Sequence, residues 1–477
     1  MSASAVPGRG AADALPDDGA RSRRGVELAM LIVAIIIIVA ADSVVDVNVR
    51  GTVSRDTALH GGGFAAVWLI AHGIVRWKAR YADPLLLPLV ALLNGLGLVL
   101  IHRLDLAATI KAHALGDPVP SAYARTQILY MCIGLALFVA VLLIIRDYRR
   151  LARYAYSLAL VGLVLLALPA FLPASLTEIN GSRNWIIIAG FSIQPGEFAK
   201  LALMVFFASY LVAKRDVLSL TGRRFLGMAF PRGRDLGPVL VAWGVSLLLL
   251  LRENDLGTSL LFFAIFVVML YVATERTSWL VIGLVLFAGG SFLAYQVIGH
   301  VQVRVDVWLH PFRYASTGGY QIVQAMFGLG SGGLFGAGLG GGRPDLVPLA
   351  GSDFIISTAG EELGLFGLAA ILVVYALLVM RGFRAGLAVS DLFGKMLATG
   401  LAFSMGFQVF IIVGGVTRLI PLTGLTTPFM SAGGSSLIAN LALLGLLVRI
   451  SDAGRRPTPP PRSAPSVADA HTEVVSR

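Results

Sequence analysis

The sequence predicts an all-α polytopic membrane protein of about ten to twelve transmembrane helices, with a polar extracytoplasmic cavity and one long outer loop. Three observations carry this. The 477 residues are 57% hydrophobic and only 14% charged, where a soluble chain carries about a quarter charged residues. Long apolar runs alternate with short charged breaks, the pattern of helical spans; a membrane β-barrel would show short alternating segments instead. Most of the Lys and Arg fall in every second loop, as the positive-inside bias requires.

Twelve spans are expected, at roughly 26–45, 58–76, 84–102, 126–146, 152–172, 196–213, 236–251, 256–273, 278–298, 354–380, 396–416 and 432–450. The shorter ones need tilt or polar turns to fit a bilayer. Residues 1–25 and 451–477 read as disordered cytoplasmic tails, the second Pro-rich (PTPPPRSAP), around a membrane domain at 26–450. No cleavable signal peptide is visible, because the first apolar run is long enough to remain as an anchor. With the N-terminus inside, the clusters Arg21/Arg23/Arg24, Arg76/Lys78/Arg80 and Arg146/Arg149/Arg150/Arg153 all lie in the cytoplasm, and both termini are cytoplasmic. The net charge of +11 then reflects topology and attraction to anionic lipid, not nucleic-acid binding. Cys132 is alone and inside a span, so disulfides contribute nothing. Chemistry falls to the membrane domain and its outer loops.

The sharpest feature is Arg252-Glu253-Asn254-Asp255, which interrupts an apolar run from Val239 to Val272. Carboxylates placed there must sit at a membrane surface or be paired inside the protein. Asp255 precedes the next span and is a good N-cap residue. In segment 173–200, Glu197 and Lys200 are three apart and share a helix face, either as a pair that offsets its own desolvation or as part of a cavity wall. Arg183 and Trp185 follow Asn180-Gly181; Trp at this depth anchors an interface, or stacks on a sugar beside an Arg that meets phosphate.

The outer loop 299–353 contains GGYQIVQAMFGLGSGGLFGAGLGGGRPD, with Gln321 in it and Asp353 at its end. Its glycines are too many for a stable helix interior. Such backbone can present N–H groups to phosphate, close-pack as re-entrant structure, or serve as a flap. No Walker-type Lys-Ser/Thr follows, which argues against a nucleotide P-loop. Segment 417–436, with Ser435, is similarly rich in Pro, Gly, Ser and Thr at membrane depth, where irregular backbone is tolerated only against protein or water. The adjacent Glu361 and Glu362 cannot share a helix face; one is expected to pair or cap within the bundle while the other meets cavity or surface.

Several of these strings together resemble the SEDS family (shape, elongation, division and sporulation), which contains RodA, FtsW and SpoVE proteins. They are NGSRNWI (180–186), IQPGEFAKLAL (193–203), NDLGTSLL (254–261), GGYQIVQAMFGLGSGGLFGAGLG (318–340), SDFIISTAGEELGLFG (352–367) and PLTGLTTPFMSAGGSSLIAN (421–440), in the family's order. The stretch 417–428 resembles the actinobacterial RodA branch. The family core has ten spans, so two of the twelve read as an N-terminal addition. The resemblance implies a peptidoglycan glycosyltransferase that polymerises lipid II into glycan strands for cell elongation. It implies a class B penicillin-binding protein as transpeptidase partner, with Asp255 as catalytic base and Trp185, Glu197 and Lys200 in support. A Mg²⁺ or Mn²⁺ held by the substrate pyrophosphate, without a dedicated protein cage, would fit this reaction; no organic cofactor is expected. Arg183, Lys200 and Arg252 are the candidate cations for the leaving pyrophosphate. A lipid II flippase is the competing reading, with a non-catalytic scaffold or a division-specific FtsW-like polymerase as further alternatives.

Overall fold

The computed structural model of the protein describes residues 23–457 apart from 180, 189–190, 216–223, 226–227 and 230–232. The expected tails at 1–25 and 451–477 lie mostly outside the described residues. What is described of them is partly helical, because the first helix starts at Arg24 and the last runs to Arg455.

Each of the twelve expected spans falls on a helix. They are α1 (Arg24–Arg50), α2 (Arg55–Lys78), α3 (Leu86–Leu115), α4 (Tyr123–Ile144), α5 (Ala155–Phe171), α6 (Pro195–Ala213), α7 (Gly233–Arg252), α8 (Leu256–Thr274) and α9 (Ser278–Val297). Two helices, α10 (Gly299–Leu309) and α11 (Tyr320–Gly332), belong to the long loop, and α12 (Ile355–Ala388), α13 (Leu392–Val416) and α14 (Gly434–Arg455) complete the bundle. Among the described residues, 11 helices are long and apolar enough to cross a membrane, and the apolar part of α7, Gly237–Arg252, is shorter. The only strands described are two short two-stranded hairpins, one of which, β1 (Ile186–Ile188) with β2 (Phe191–Ile193), borders the candidate site.

The bundle is built around α14 and α3, whose apolar windows are 89% and 83% buried. Helix α9 buries 6% of its window and turns Leu284, Val285 and Phe292 outward, as a helix solvated by hydrocarbon can.

The glycine-rich loop departs from expectation. Helix α11 forms despite its glycines because two of them let it lie directly on α12. A Cβ on Gly332 would stand 2.2 Å from the Gly360 carbonyl oxygen, so glycine is what permits the contact. Ile322, Val323 and Ala325 are buried there, which offsets the weak helix propensity. Beyond α11 the chain folds back and repairs a break in α12. At Gly364 the backbone takes φ 69°, ψ −172°, and four neighbouring peptide groups lose their helical partners. The Leu365 and Phe366 N–H groups donate to the Gly333 and Leu334 carbonyls at 2.9 and 3.1 Å, and the Glu361 and Glu362 carbonyls accept from Ala337 and Gly338 at 2.9 and 3.0 Å. A broken helix inside a bilayer needs such replacement partners. The close-packed re-entrant reading therefore holds, and these N–H groups are occupied by carbonyls rather than offered to phosphate.

Glu361 and Glu362 both serve this region. Glu362 pairs with Arg103 of α3 at 3.0 Å, and Glu361 accepts from the Arg343 N–H at 2.6 Å. Both are buried, and neither lines the cavity described below. The expectation that one of them meets cavity or surface is corrected: the loop backbone at Arg343 holds Glu361 and the Arg103 guanidinium of α3 holds Glu362, so both stay inside.

Candidate active site

The four-residue interruption becomes the turn between α7 and α8. Asn254 has φ 60°, a left-handed conformation that Asn tolerates better than most residues, and this lets the chain reverse in one step. The NGSRNW segment clamps the turn. Arg183 N–H and Ser182 Oγ donate to the Glu253 carbonyl at 3.1 and 3.2 Å, and Asn254 Nδ2 donates to the Gly181 carbonyl at 3.3 Å.

Asp255 is fixed from several sides. Its Oδ1 accepts from the Thr258 N–H at 2.9 Å and so caps α8. Its Oδ2 accepts from Asn184 Nδ2 at 2.7 Å, Thr258 Oγ at 2.9 Å and Gln194 Nε2 at 3.4 Å. Capping and any chemical role therefore coexist in one side chain. Every direct partner is a neutral donor, which orients the carboxylate without neutralising it.

Asp255 forms part of the wall of a cavity of about 780 Å³. Trp185, Asn184 and Gln194 line one side; Arg304 and Trp308 of α10, Gln321 of α11, Asp353 and Arg418 line the others. Arg304 Nη1 lies 3.4 Å from both the Leu422 and Thr423 carbonyls. Burial lowers its pKa, while the fields of Asp255 and Asp353 act in the other direction. Arg418 also has a positive φ of 61°, and it is locked to α10 reciprocally. Its guanidinium donates to the Trp308 carbonyl at 3.0 Å, and Trp308 Nε1 donates to the Arg418 carbonyl at 2.9 Å. The cavity thus holds two carboxylates and two guanidinium groups.

Two carboxyl groups here titrate abnormally. Burial pushes Asp353 up to about 6; the Ser352 hydrogen bond and Arg304 pull it down, and Asp255 pushes it up. Glu253 is 2% exposed, and one of its carboxyl oxygens has no partner among the described residues. Burial first, and the Asp255 charge second, push Glu253 up to about 8. At pH 7 Glu253 is mostly protonated and does not act as a second anion beside Asp255. A raised carboxyl pKa in the folded state gives stability that is complete below about 4.5 and is lost as pH rises through about 8. Glu253→Gln is therefore expected to flatten the decline of Tm between about pH 5 and 9. Parallel Tm profiles for wild type and variant in detergent would refute this environment for Glu253.

The other residues singled out in the sequence fall at different depths. Trp185, Gln321, Asp353 and Asp255 line the cavity. Ser435, at the start of α14, stands one step behind, its Oγ accepting from the Gln194 N–H at 2.9 Å. Glu197 and Lys200 form a buried ion pair at 2.9 Å. Lys200 also donates to Gln408 at 3.0 Å, and Gln408 donates to the carbonyl of Thr426 on the cavity wall at 2.8 Å. The pair supports the wall and does not form it. Removing one partner of a buried pair costs about 3–5 kcal/mol, so Lys200→Met should destabilise strongly and Glu197→Gln added to it should recover much of the loss. A double variant no more stable than the single one would show that the two charges are not coupled.

The cations expected to face the leaving group are placed elsewhere. The Arg183 side chain is 51% exposed and pairs with Glu178 at 3.1 Å, drawn there by the nearest carboxylate in its own segment. Arg252 stacks over the Phe171 ring, 5.7 Å from its centroid. Arg304 and Arg418 occupy the cavity instead. Their sequence signal was faint: Arg304 sits in the apolar VQVRVDVWL, and Arg418 opens the irregular segment at 417–436.

The class of protein is thus a polytopic helical membrane protein whose irregular loops enclose a cavity of carboxylates and guanidinium groups. The family model for cell cycle proteins of the FtsW, RodA and SpoVE type matches residues 84–456. The peptidoglycan glycosyltransferase RodA of Mycobacterium tuberculosis is 51% identical over 96% of both chains, and that of Mycobacterium leprae is 50% identical over the same shares. A probable peptidoglycan glycosyltransferase FtsW of Geobacter metallireducens is 34% identical over 78% of this chain and 95% of that one. Among solved structures, a peptidoglycan synthase complex described for its coordination of polymerization and crosslinking matches with TM-score 0.61 and 30% identity, over 78% of this chain and 97% of that one. The RodA of Thermus thermophilus matches with TM-score 0.53 and 28% identity, over 79% and 98%. The chain belongs to the FtsW/RodA/SpoVE family, and its activity is peptidoglycan glycosyl transfer of the RodA kind.

Proposed function

We propose that this glycosyltransferase polymerises lipid II into glycan strands in the cavity bounded by Asp255, Arg304 and Arg418, on the outer face of the cytoplasmic membrane with both termini inside. One observation carries the reading: Asp255 is held by neutral donors on the wall of a cavity that also presents two guanidinium groups. In the reaction, the 4-hydroxyl of an acceptor GlcNAc forms a bond to C1 of the donor MurNAc, and the C1–oxygen bond to undecaprenyl pyrophosphate breaks. Asp255 takes the hydroxyl proton. A base placed within about 2.6–3.2 Å of that hydroxyl contributes about 10²–10⁴-fold. Arg304 and Arg418 meet the charge that develops on the pyrophosphate. That group leaves as an anion, so no general acid is required. Trp185 and Trp308 offer flat faces to the sugars.

Among the described residues, the cavity brings no three metal-ligating side chains together, and Asp255 already spends its oxygens on four hydrogen bonds. A Mg²⁺ or Mn²⁺ taking part in this reaction would be held by the pyrophosphate oxygens, and no step here runs through it. A class B penicillin-binding protein is the proposed partner, in keeping with the fold's likeness to a synthase complex.

Lipid II carrying a photoreactive sugar tests the placement. Cross-links should map to the wall peptides at 179–194, 303–322 and 415–426. Adducts confined to the opposite end of the bundle would overturn it.

A further inference from the structure

Helices α1 and α2 precede the residues shared with the family model, which begin at 84, and they are seated on α3 by an unusual buried cluster. Asp42 and Asp46 are one helical turn apart on α1, His60 lies in α2 and His102 in α3; their exposures are 3%, 0%, 4% and 3%. We propose that Asp42, His60 and His102 bind a divalent transition-metal ion of the zinc class, which fastens the α1–α2 hairpin to α3.

The geometry supports this in three ways. One ligand atom from each of the three residues lies within 4.8 Å of the other two. Asp42 Oδ2, Asp46 Oδ1 and His60 Nδ1 are all buried without a hydrogen-bond partner. His60 Nδ1 stands 4.0 Å from Asp42 Oδ2, too far for a hydrogen bond, yet close to the roughly 3.3–3.5 Å that two ligands about 2.0–2.2 Å from one ion would adopt. Finally, His102 Nδ1 lies 2.7 Å from Asp42 Oδ1, and its other nitrogen faces the unpartnered Asp46 Oδ1 across 3.8 Å. An approach of under about 1 Å would make Asp46 the outer carboxylate that orients a metal-bound His102. Asp46 is itself fixed by the Ser54 N–H at 2.7 Å and by Thr57 Oγ at 2.5 Å.

Charge points the same way. Two buried carboxylates face two imidazoles, and the nearest permanent cation, Arg50, is 3.9 Å from Asp46 with its side chain one-third exposed. Asp56 and Arg125 pair with each other at 2.8 Å. Buried charges are tolerated when paired or when they coordinate metal. Two imidazoles with one carboxylate suit zinc-class ions better than Mg²⁺ or Ca²⁺. The plain competitor is a protonated His102 bridging Asp42 and Asp46 with no metal at all.

Full-length protein purified in detergent without chelator should carry about one equivalent of zinc per chain. Chelation should remove it and lower Tm, and Zn²⁺ but not Mg²⁺ should restore Tm. Co²⁺ should give the visible absorption of a tetrahedral site in wild type. His60→Gln, which leaves the His102–Asp42–Asp46 bridge intact, should lose both the metal and the Co²⁺ spectrum. A wild-type protein without stoichiometric metal, and with a Tm indifferent to Zn²⁺, would overturn the proposal and leave the bridge. So would a His60→Gln protein that binds zinc as wild type does.

Discussion

Asp255→Asn is expected to lower the rate of glycan-strand synthesis by about 10²–10⁴-fold, the usual contribution of a positioned base, while the protein remains folded. The substitution keeps the shape of the side chain. The amide oxygen can still accept from the Thr258 N–H that Oδ1 now caps at 2.9 Å, so the start of α8 survives. What is lost is the proton acceptor. The amide nitrogen would also face the Asn184 and Gln194 donors that now point at Oδ2 from 2.7 and 3.4 Å. The effect should therefore fall mainly on kcat, with a modest drop in Tm from the donors left unpaired. A second variant, Asn184→Ala, releases one orienting donor and should give a smaller loss, because the carboxylate itself remains. If purified Asp255→Asn consumed lipid II at the wild-type rate, the base would have to lie elsewhere.

Arg304→Gln should reduce kcat by about 10²–10³-fold, the scale seen when one preorganised donor to a developing charge is removed. Arg304 is the cation under the field of both Asp255 and Asp353, and its guanidinium is steadied by the Leu422 and Thr423 carbonyls. Its loss leaves those two carboxylates facing an anionic substrate with Arg418 alone in opposition. Arg304→Lys should recover part of the rate, since the charge returns without the planar fork. Arg183→Gln serves as the contrast. Its guanidinium is paired with Glu178 away from the cavity, so activity should stay within a few-fold of wild type. Equal losses at Arg183 and Arg304 would remove the distinction drawn between them.

The spans were legible because hydropathy is a local property, and every predicted run found its helix. The turn at Arg252–Asp255 was legible for the same reason in reverse: four polar residues cannot lie inside an apolar run without a purpose. Helix α11 was not legible. Its stability comes from Gly332 lying against Gly360, a contact between segments that propensity cannot weigh. The choice among cations was hidden likewise. Arg183, Arg252, Arg304 and Arg418 look alike in a sequence, and only the packing of α10 against segment 417–424 turns two of them inward. The Asp42, Asp46, His60 and His102 cluster was invisible because its members are spread over three helices with no motif spacing.

On the proposed reading, this chain joins lipid II units through its Asp255 cavity without a second enzyme. Purified protein in detergent micelles, where there is no second leaflet, supplied with lipid II as sole substrate, tests it most directly. The expected product is a ladder of glycan strands that a muramidase digests. Lipid II left unpolymerised in micelles, together with its passage between leaflets when the same protein is placed in vesicles, would instead make the chain a transporter.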